Sequence, residues 1–268
     1  MCIRDSASRI RQAFPPNMDE SFANFAWMAV NAIAQGLISL EVRPTLPLIA
    51  KYVKLGIYEL LESLLEQHAK NYANPDWQKH YYDLKEKAGK PPAPTVSERL
   101  MVLVALYETE LHSTAPNPAI DGLIEVFRHN REHYSKITAS LLPILSMLTT
   151  GKLADSLSPS LNDMHDTRPV MNLEKVINGG HVLYIGLDSM PNPTVASTLA
   201  GIWLADLANI AGRRYNLGIS ALNSQRISLF IDEVSNVINV PLIEILNKGA
   251  ESGIQTTCAT VSYTHLTL

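Results

Sequence analysis

Apolar residues recur every three or four positions through most of residues 15–150, which is the spacing of one buried helical face. A charged, proline-rich stretch at residues 87–95 interrupts the pattern and predicts an internal linker. We therefore expect a mainly helical module in this part of the chain. Its predicted helices cover residues 20–41, 45–72, 77–88, 97–112 and 118–149.

The pattern changes beyond residue 177, where short apolar runs alternate with helical segments. Residues 179–188, Ile227–Ile231 and 253–260 are rich in strand-forming side chains and are typical of buried strands. Between these runs, residues 194–215 and 240–249 show helical spacing. The alternation predicts a β-α-β-α-β order and a doubly wound parallel sheet.

Two carboxylates, Asp232 and Glu233, directly follow the predicted strand Ile227–Ile231. Ligands bind at the carboxyl ends of the strands in open α/β sheets, so site chemistry is expected there. A P-loop ATPase needs one carboxylate to hold Mg²⁺ through water and a second to orient the attacking water. Asp232 fits the first role and Glu233 the second. An ordinary strand that ends in a solvated Asp-Glu pair would give the same sequence.

Composition narrows the function classes only a little. The chain has 268 residues, is 46% hydrophobic and carries a net charge of −4, so it can bury one large core or two smaller ones. The mild charge gives no global nucleic-acid signal, and any DNA contact would be local. Cys2 and Cys258 form neither a disulfide framework nor a metal set, which fits a reducing cytoplasm. We expect Cys258 to be a small buried thiol within its strand.

The two ends of the chain, MCIRDS and VSYTHLTL, resemble translated sequencing-adapter reads. We therefore expect residues 1–6 and 261–268 to be artefacts and the natural sequence to run from about Ala7 to Thr260. The part between them divides into a helical segment at 7–96, an all-α module with its connection at 97–176, and an α/β core at 177–260.

Residues 227–260, ISLFIDEVSNVINVPLIEILNKGAESGIQTTCAT, resemble the Walker B strand, linking helix and sensor strand of TraD/TraG-type conjugative coupling proteins. Within that family, the likeness is to the TraD group of SXT/TOL-like integrative elements. It continues upstream through SKITASLLPILSMLTTGKLADSLSP and VINGGHVLYIGLDSM, and so covers most of residues 98–260.

The resemblance implies an α/β fold: the Walker B half of a RecA-like P-loop NTPase core, with a large, mainly α-helical module. Proteins of this family are hexameric motors, tethered at the cytoplasmic face of the bacterial inner membrane. They use ATP and Mg²⁺ to move single-stranded or double-stranded DNA. They link the relaxosome to the channel components of a type IV secretion system.

The resemblance also assigns roles to residues. Asp232 would be the Mg²⁺-associated acid and Glu233 the catalytic base. Thr260 would end the sensor strand; the family's Gln would follow it, where this chain has Val261. Lys248 lies in the segment that faces the neighbouring subunit, as a trans-acting cation or as a solvated helix-end lysine. Asp188 either faces the nucleotide or caps the next turn.

Two parts of the family pattern are missing from the sequence. There is no GxxxxGK[ST] phosphate cradle and no convincing membrane helix, so the chain alone is expected to bind ATP poorly. Both departures follow if the chain begins downstream of Walker A, as a fragment. Two alternatives remain open: an FtsK/HerA-like DNA translocase or other secretion ATPase, and a non-catalytic α/β adaptor that binds relaxosome or channel proteins.

Overall fold

The computed structural model describes residues 20–129, 131–151, 154, 157, 172–190, 192–217 and 225–261. In these residues the protein is mainly helical, with ten α-helices and a small two-stranded parallel sheet near the C-terminus. The chain divides into two compact units. Residues 17–158 form the helical unit, and residues 1–16 with 159–268 form the sheet unit. The segment boundaries expected from the sequence at 96/97 and 176/177 stay predictions.

The helical unit contains seven of the described helices, and they lie within the regions where apolar spacing predicts helix. A 3-10 turn, Trp77–His80, precedes α4, and a π-helical turn, Tyr107–Leu111, continues α5. The α-helices are α1 (Glu20–Ser39), α2 (Leu46–Leu55), α3 (Tyr58–Tyr72), α4 (Tyr81–Ala88), α5 (Glu98–Leu106), α6 (Pro118–Arg128) and α7 (Arg131–Leu148).

Two long predicted helices are each divided in the structure. The 45–72 segment breaks at Gly56, whose φ of +92° is a left-handed value that glycine adopts without a Cβ clash. The 118–149 segment breaks at His129, where the backbone is extended. New helices start with local help: the side chains of Thr45, Ser97 and Asn117 accept backbone N–H groups of α2, α5 and α6.

Leucine and isoleucine side chains fill the core of the helical unit. Ile33, Leu61, Leu100 and Leu123 from α1, α3, α5 and α6 have essentially no exposed surface. Gly36 lets α1 approach α6 closely, because a Cβ at this position would lie 2.8 Å from Leu123 Cδ1. Residues 89–97, which include most of the predicted linker, form no helix, whereas Lys87 and Ala88 belong to α4.

The sheet unit is built around one βαβ unit. Its described elements are α8 (Leu173–Asn178), α9 (Pro193–Leu217), β1 (Ile227–Ile231), α10 (Val240–Lys248) and β2 (Ile254–Cys258), with 3-10 turns at Val234–Asn236 and Gly249–Ser252. β1 and β2 are parallel, with Ile227 opposite Ile254 and Ile231 opposite Cys258. One face of the pair packs on α9 and α10 through a core that includes Leu204, Leu207, Leu242, Ile245 and Ile254.

Polar contacts tie the end of α9 to the start of each strand. The buried Arg214 guanidinium donates to the carbonyl oxygen of Gln225, just before β1, and burial lowers the pKa of Arg214. The hydroxyl of Ser252 donates to the carbonyl oxygen of Ala211 at 2.9 Å, just before β2. These bonds fix the amino ends of both strands against one helix.

The predicted strand at residues 179–188 is wrong: this segment forms no strand in the structure. Three of its apolar side chains are exposed, with Val182 97%, Tyr184 91% and Ile185 40% accessible. Strand-forming residues give a segment a high β-propensity, but a strand also needs a neighbouring strand at hydrogen-bonding distance. The described sheet therefore has the two predicted C-terminal strands and lacks the third.

Cys258 is exposed at the end of β2, so the prediction that it is buried is wrong. Cys258 is the last residue of β2 and pairs with Ile231 on the face that packs on α9 and α10, so the packing of that face does not extend to the end of β2. Among the described helices, Pro193–Asn216 of α9 alone has the length and apolar composition to cross a membrane, with a mean hydropathy of 1.3. Since 61% of that window is buried inside the protein, α9 has the character of a core helix.

Candidate functional site at the carboxyl end of the sheet

Asp232 and Glu233 leave the carboxyl end of β1, and both are exposed. Pairing between the two chain segments continues beyond the strands. The N–H of Ala259 donates to the Ile231 carbonyl at 2.8 Å, and the N–H of Val234 donates to the Ala259 carbonyl at 3.0 Å. The two carboxylates therefore sit in a turn whose flanks are both held by the neighbouring chain.

The change of chain direction after β1 occurs at the backbone of Glu233. Its φ of 49° and ψ of 47° lie in the left-handed region, which is unfavourable for residues other than glycine by about 1–2 kcal/mol. The next residue, Val234, is buried in the core of the sheet unit. A residue held in this way beside an anchored core position is typical of functional turns.

One oxygen of each carboxylate is already engaged. The N–H of Glu233 donates to Asp232 Oδ1 at 2.9 Å, and Asn236 Nδ2 donates to Glu233 Oε2 at 3.2 Å. The other oxygens, Asp232 Oδ2 and Glu233 Oε1, have no hydrogen bond in the described part of the chain. The acids are therefore oriented while each keeps one oxygen for a ligand.

Sequence reasoning missed Asn236. The signal that could have found it is its spacing, because an Asn three residues after Glu233 lies within reach when the chain enters a 3-10 turn. Asn236 also donates its backbone N–H to the Glu233 carbonyl at 3.0 Å.

The donor set suits one of the two implied groups. Carboxylate oxygens are the ligands that Mg²⁺ prefers, and Mg²⁺ commonly binds through one or two carboxylates with water and phosphate completing its shell. Asp232 fits that requirement. No three His, Cys, Asp or Glu side chains of the described residues converge as a self-contained metal site. The phosphates of ATP find no glycine-rich cradle in this sequence, so the residues present do not fit that part of the nucleotide.

Thr260 follows Ala259 at the carboxyl end of β2, on the same side of the sheet as Asp232 at the carboxyl end of β1. A sensor strand would end there. Asp188 is exposed at the end of the unpaired segment, and no described contact joins it to Asp232 or Glu233. The structure therefore places Thr260 and the two carboxylates at the carboxyl end of the sheet, and it leaves Asp188 outside that group.

Lys248 lies near the amino ends of the two strands, at the opposite end of the sheet from Asp232 and Glu233. It ends α10, immediately before the turn that leads into the start of β2. Its Nζ is 2.6 Å from Glu244 Oε2, one helical turn earlier, and this hydrogen bond raises the pKa of Lys248. Within this chain Lys248 pairs with Glu244 and does not meet the carboxylate turn.

A second polar cluster, unforeseen from the sequence, lies in the helical unit beside a cavity of about 560 Å³. The Tyr107 hydroxyl donates to Asp121 Oδ1 at 2.8 Å and accepts the N–H of Asn117 at 2.9 Å. His112 Nε2 lies 3.5 Å from the same Asp121 oxygen. Burial raises the pKa of Tyr107 to about 12, and the bond to Asp121 adds to the rise. The π-helical turn brings these groups together, and no local pattern predicts such a turn.

Comparison of the chain with models of known protein families, with curated proteins and with solved structures gives no match.

Proposed function

We propose that this chain is part of a conjugative coupling protein, an ATP-driven motor that delivers DNA from the relaxosome to a type IV secretion channel. The observation that carries the proposal is the Asp232–Glu233 pair, held in a fixed turn at the carboxyl end of a parallel β1–α10–β2 unit. Ligands bind at this position in open α/β sheets, and two acids with one unbonded oxygen each suit a metal and a water.

For the sheet unit we propose a RecA-like core in which further strands flank β1 and β2. Parallel sheets are normally covered on both faces and contain more than two strands, so an open pair supports a larger sheet.

In the proposed mechanism Asp232 would hold Mg²⁺ through water, and Glu233 Oε1 would accept a proton from the water that it orients. Bound ATP would supply the phosphoryl group, and Mg²⁺ would supply the positive charge that neutralises it. Thr260 would end the sensor strand. A nucleotide-facing role for Asp188 would require its side chain to approach Asp232 and Glu233, to which no described contact joins it. A trans-acting role for Lys248 requires that its ammonium leave Glu244 and act on the site of a neighbouring subunit.

The assembly and partners in this proposal rest on the family resemblance. They are a homo-hexamer at the cytoplasmic face of the inner membrane, with DNA, relaxosome proteins and channel components as partners. With a net charge of −4 the chain has no overall positive charge to attract DNA, so any DNA contact would be local. An FtsK/HerA-like translocase would use the same carboxylates, and its DNA substrate and partners would distinguish it.

A second candidate is a non-catalytic adaptor that binds relaxosome or channel proteins. The observation that favours it is apolar surface left open in the sheet unit: Phe230 is 75% exposed, and Val182 and Tyr184 of the unpaired segment are exposed as well. Exposed apolar patches often mark protein-interaction sites. A larger sheet in the motor would bury the same side chains.

Long-read resequencing of the source locus across both ends of the chain separates the two candidates. The motor proposal predicts an upstream GxxxxGK[ST] in the same reading frame and a Gln codon directly after Thr260. A gene that starts at Met1 and stops after Leu268 would have no phosphate cradle. That result would contradict the motor and favour the adaptor.

A further inference from the structure

Asn236 makes two hydrogen bonds to Glu233, one from its backbone N–H to the Glu233 carbonyl and one from Nδ2 to Oε2. We propose that Asn236 is a positioning residue for Glu233. Its amide holds Oε2 so that Oε1 stays in the orientation that accepts the proton of the attacking water. This inference rests on the proposed ATPase function.

Glu233 needs such a restraint because packing does not supply one. Its side chain is exposed and has several rotatable bonds, so it samples many rotamers unless a hydrogen bond selects among them. A general base works only when its oxygen lies within hydrogen-bonding reach of the proton that it removes. Among the described residues, the Asn236 side-chain amide is the one hydrogen-bond donor to the Glu233 carboxylate.

The side-chain bond is not needed for the turn itself. The backbone bonds from Val234 to Ala259 and from Asn236 to Glu233 survive removal of the Asn236 amide. Both side chains are exposed, and exposed polar pairs add little to folding stability. Loss of the amide should therefore change catalysis and leave the fold intact.

Asn239 offers a matched control three residues further along. Its Oδ1 accepts the N–H of Leu242 at 2.9 Å and caps α10, and no described bond joins it to Glu233. Asn239→Ala should therefore lower stability through loss of the helix cap while the Glu233 carboxylate keeps its restraint. The two asparagines thus separate a positioning role from a structural one.

The experiment measures ATP hydrolysis and thermal unfolding in the full-length protein encoded at the source locus. Asn236→Ala should lower kcat by about 10-fold or more with KM for ATP unchanged within about twofold, since misorientation of a base affects the chemical step. Asn236→Asp, which keeps the shape but removes the donor, should lower kcat at least as much. In the Glu233→Gln background, Asn236→Ala should add no further loss, because the two residues act as one unit.

The proposal is overturned if Asn236→Ala and Asn236→Asp both keep wild-type kcat. It is also overturned if Asn236→Ala lowers kcat equally with and without Glu233. A wild-type protein that hydrolyses no ATP would refute the proposed function and, with it, the role of Asn236. The first two results leave the ATPase standing, so the two failures are distinguishable.

Discussion

The backbone N–H of Val234 donates to the carbonyl oxygen of Ala259 at 3.0 Å, and this bond joins the chain after β1 to the chain after β2. Because Val234 is also buried, the single residue before it must absorb the change of direction, and Glu233 does so with a φ of 49°. The position of the candidate base is therefore set by main-chain contacts on either side of it.

This strain predicts that Glu233→Gly leaves the chain as stable as before or stabilises it by up to about 1.5 kcal/mol. Relief of a left-handed backbone is worth about 1–2 kcal/mol, and the greater freedom of glycine in the unfolded chain removes about 0.5–1 kcal/mol of that gain. Urea unfolding provides the measurement, with Glu233→Gln as the control that keeps the strain. A loss of more than 1 kcal/mol in Glu233→Gly would show that the side chain stabilises the fold.

Neighbouring residues of β1 should respond in opposite ways to truncation. Leu229 packs against the core of the sheet unit, whereas Phe230 is on the open face. Phe230→Ala should change the free energy of unfolding by less than about 0.5 kcal/mol, as expected for a surface position. Leu229→Ala should lower it by about 1–3 kcal/mol, because the side chain is partly buried. Equal losses in the two variants, measured by urea unfolding, would mean that the outer face is covered in solution.

Alkaline pH should destabilise the protein through Tyr107. Its folded pKa of about 12 lies above the ordinary value of 10. Between these two values the unfolded chain has lost a proton that the folded chain keeps, so stability falls as the pH rises. This loss of stability develops between about pH 10 and pH 12.

Guanidinium unfolding at several pH values from 9 to 12 should show this decline, and Tyr107→Phe should remove part of it. Tyr134 must be tested beside it, since burial raises the pKa of that residue to about 12 as well. The double variant should show the shallowest pH dependence. A Tyr107→Phe protein whose stability falls as steeply as that of the wild type would contradict the buried position of this hydroxyl.

Cys258 should react slowly with iodoacetamide although it is exposed. Partial burial raises the pKa of its thiol, and the thiolate is the reactive form. In a Cys2→Ser background, the alkylation rate at pH 8 should be lower in the folded chain than in guanidinium, and it should rise with pH. Equal rates in the two states would mean that the thiol at the end of β2 is fully solvated.

The β1–α10–β2 unit was predictable because its signals are local. β1 is a short run of strand-forming residues. Asn239 caps the start of α10, and Pro241 lies in the first turn of that helix. The position of Asp232 and Glu233 at the carboxyl end of β1 then follows from the length of the strand. Side-chain spacing over a few residues was sufficient for this part.

What could not be predicted depends on contacts between distant residues. Residues 181–187 have the composition of a strand, but pairing requires an edge that the local sequence does not describe. The bond from Tyr107 to Asp121 depends on a π-helical turn that shifts the helix register. The hydrogen bond from Asn236 to Glu233 depends on a 3-10 turn, and the spacing of apolar residues does not predict such a turn.

The most direct test of the central claim is ATP turnover by the full-length protein of the source locus, with wild type and Glu233→Gln compared under Mg²⁺. We predict that Glu233→Gln keeps nucleotide binding within about threefold and lowers kcat by about 100-fold or more, as expected when a general base is lost. Turnover by Glu233→Gln at the wild-type rate would contradict the role of Glu233. Unchanged binding of a relaxosome or channel protein, with no wild-type hydrolysis, would identify an adaptor instead.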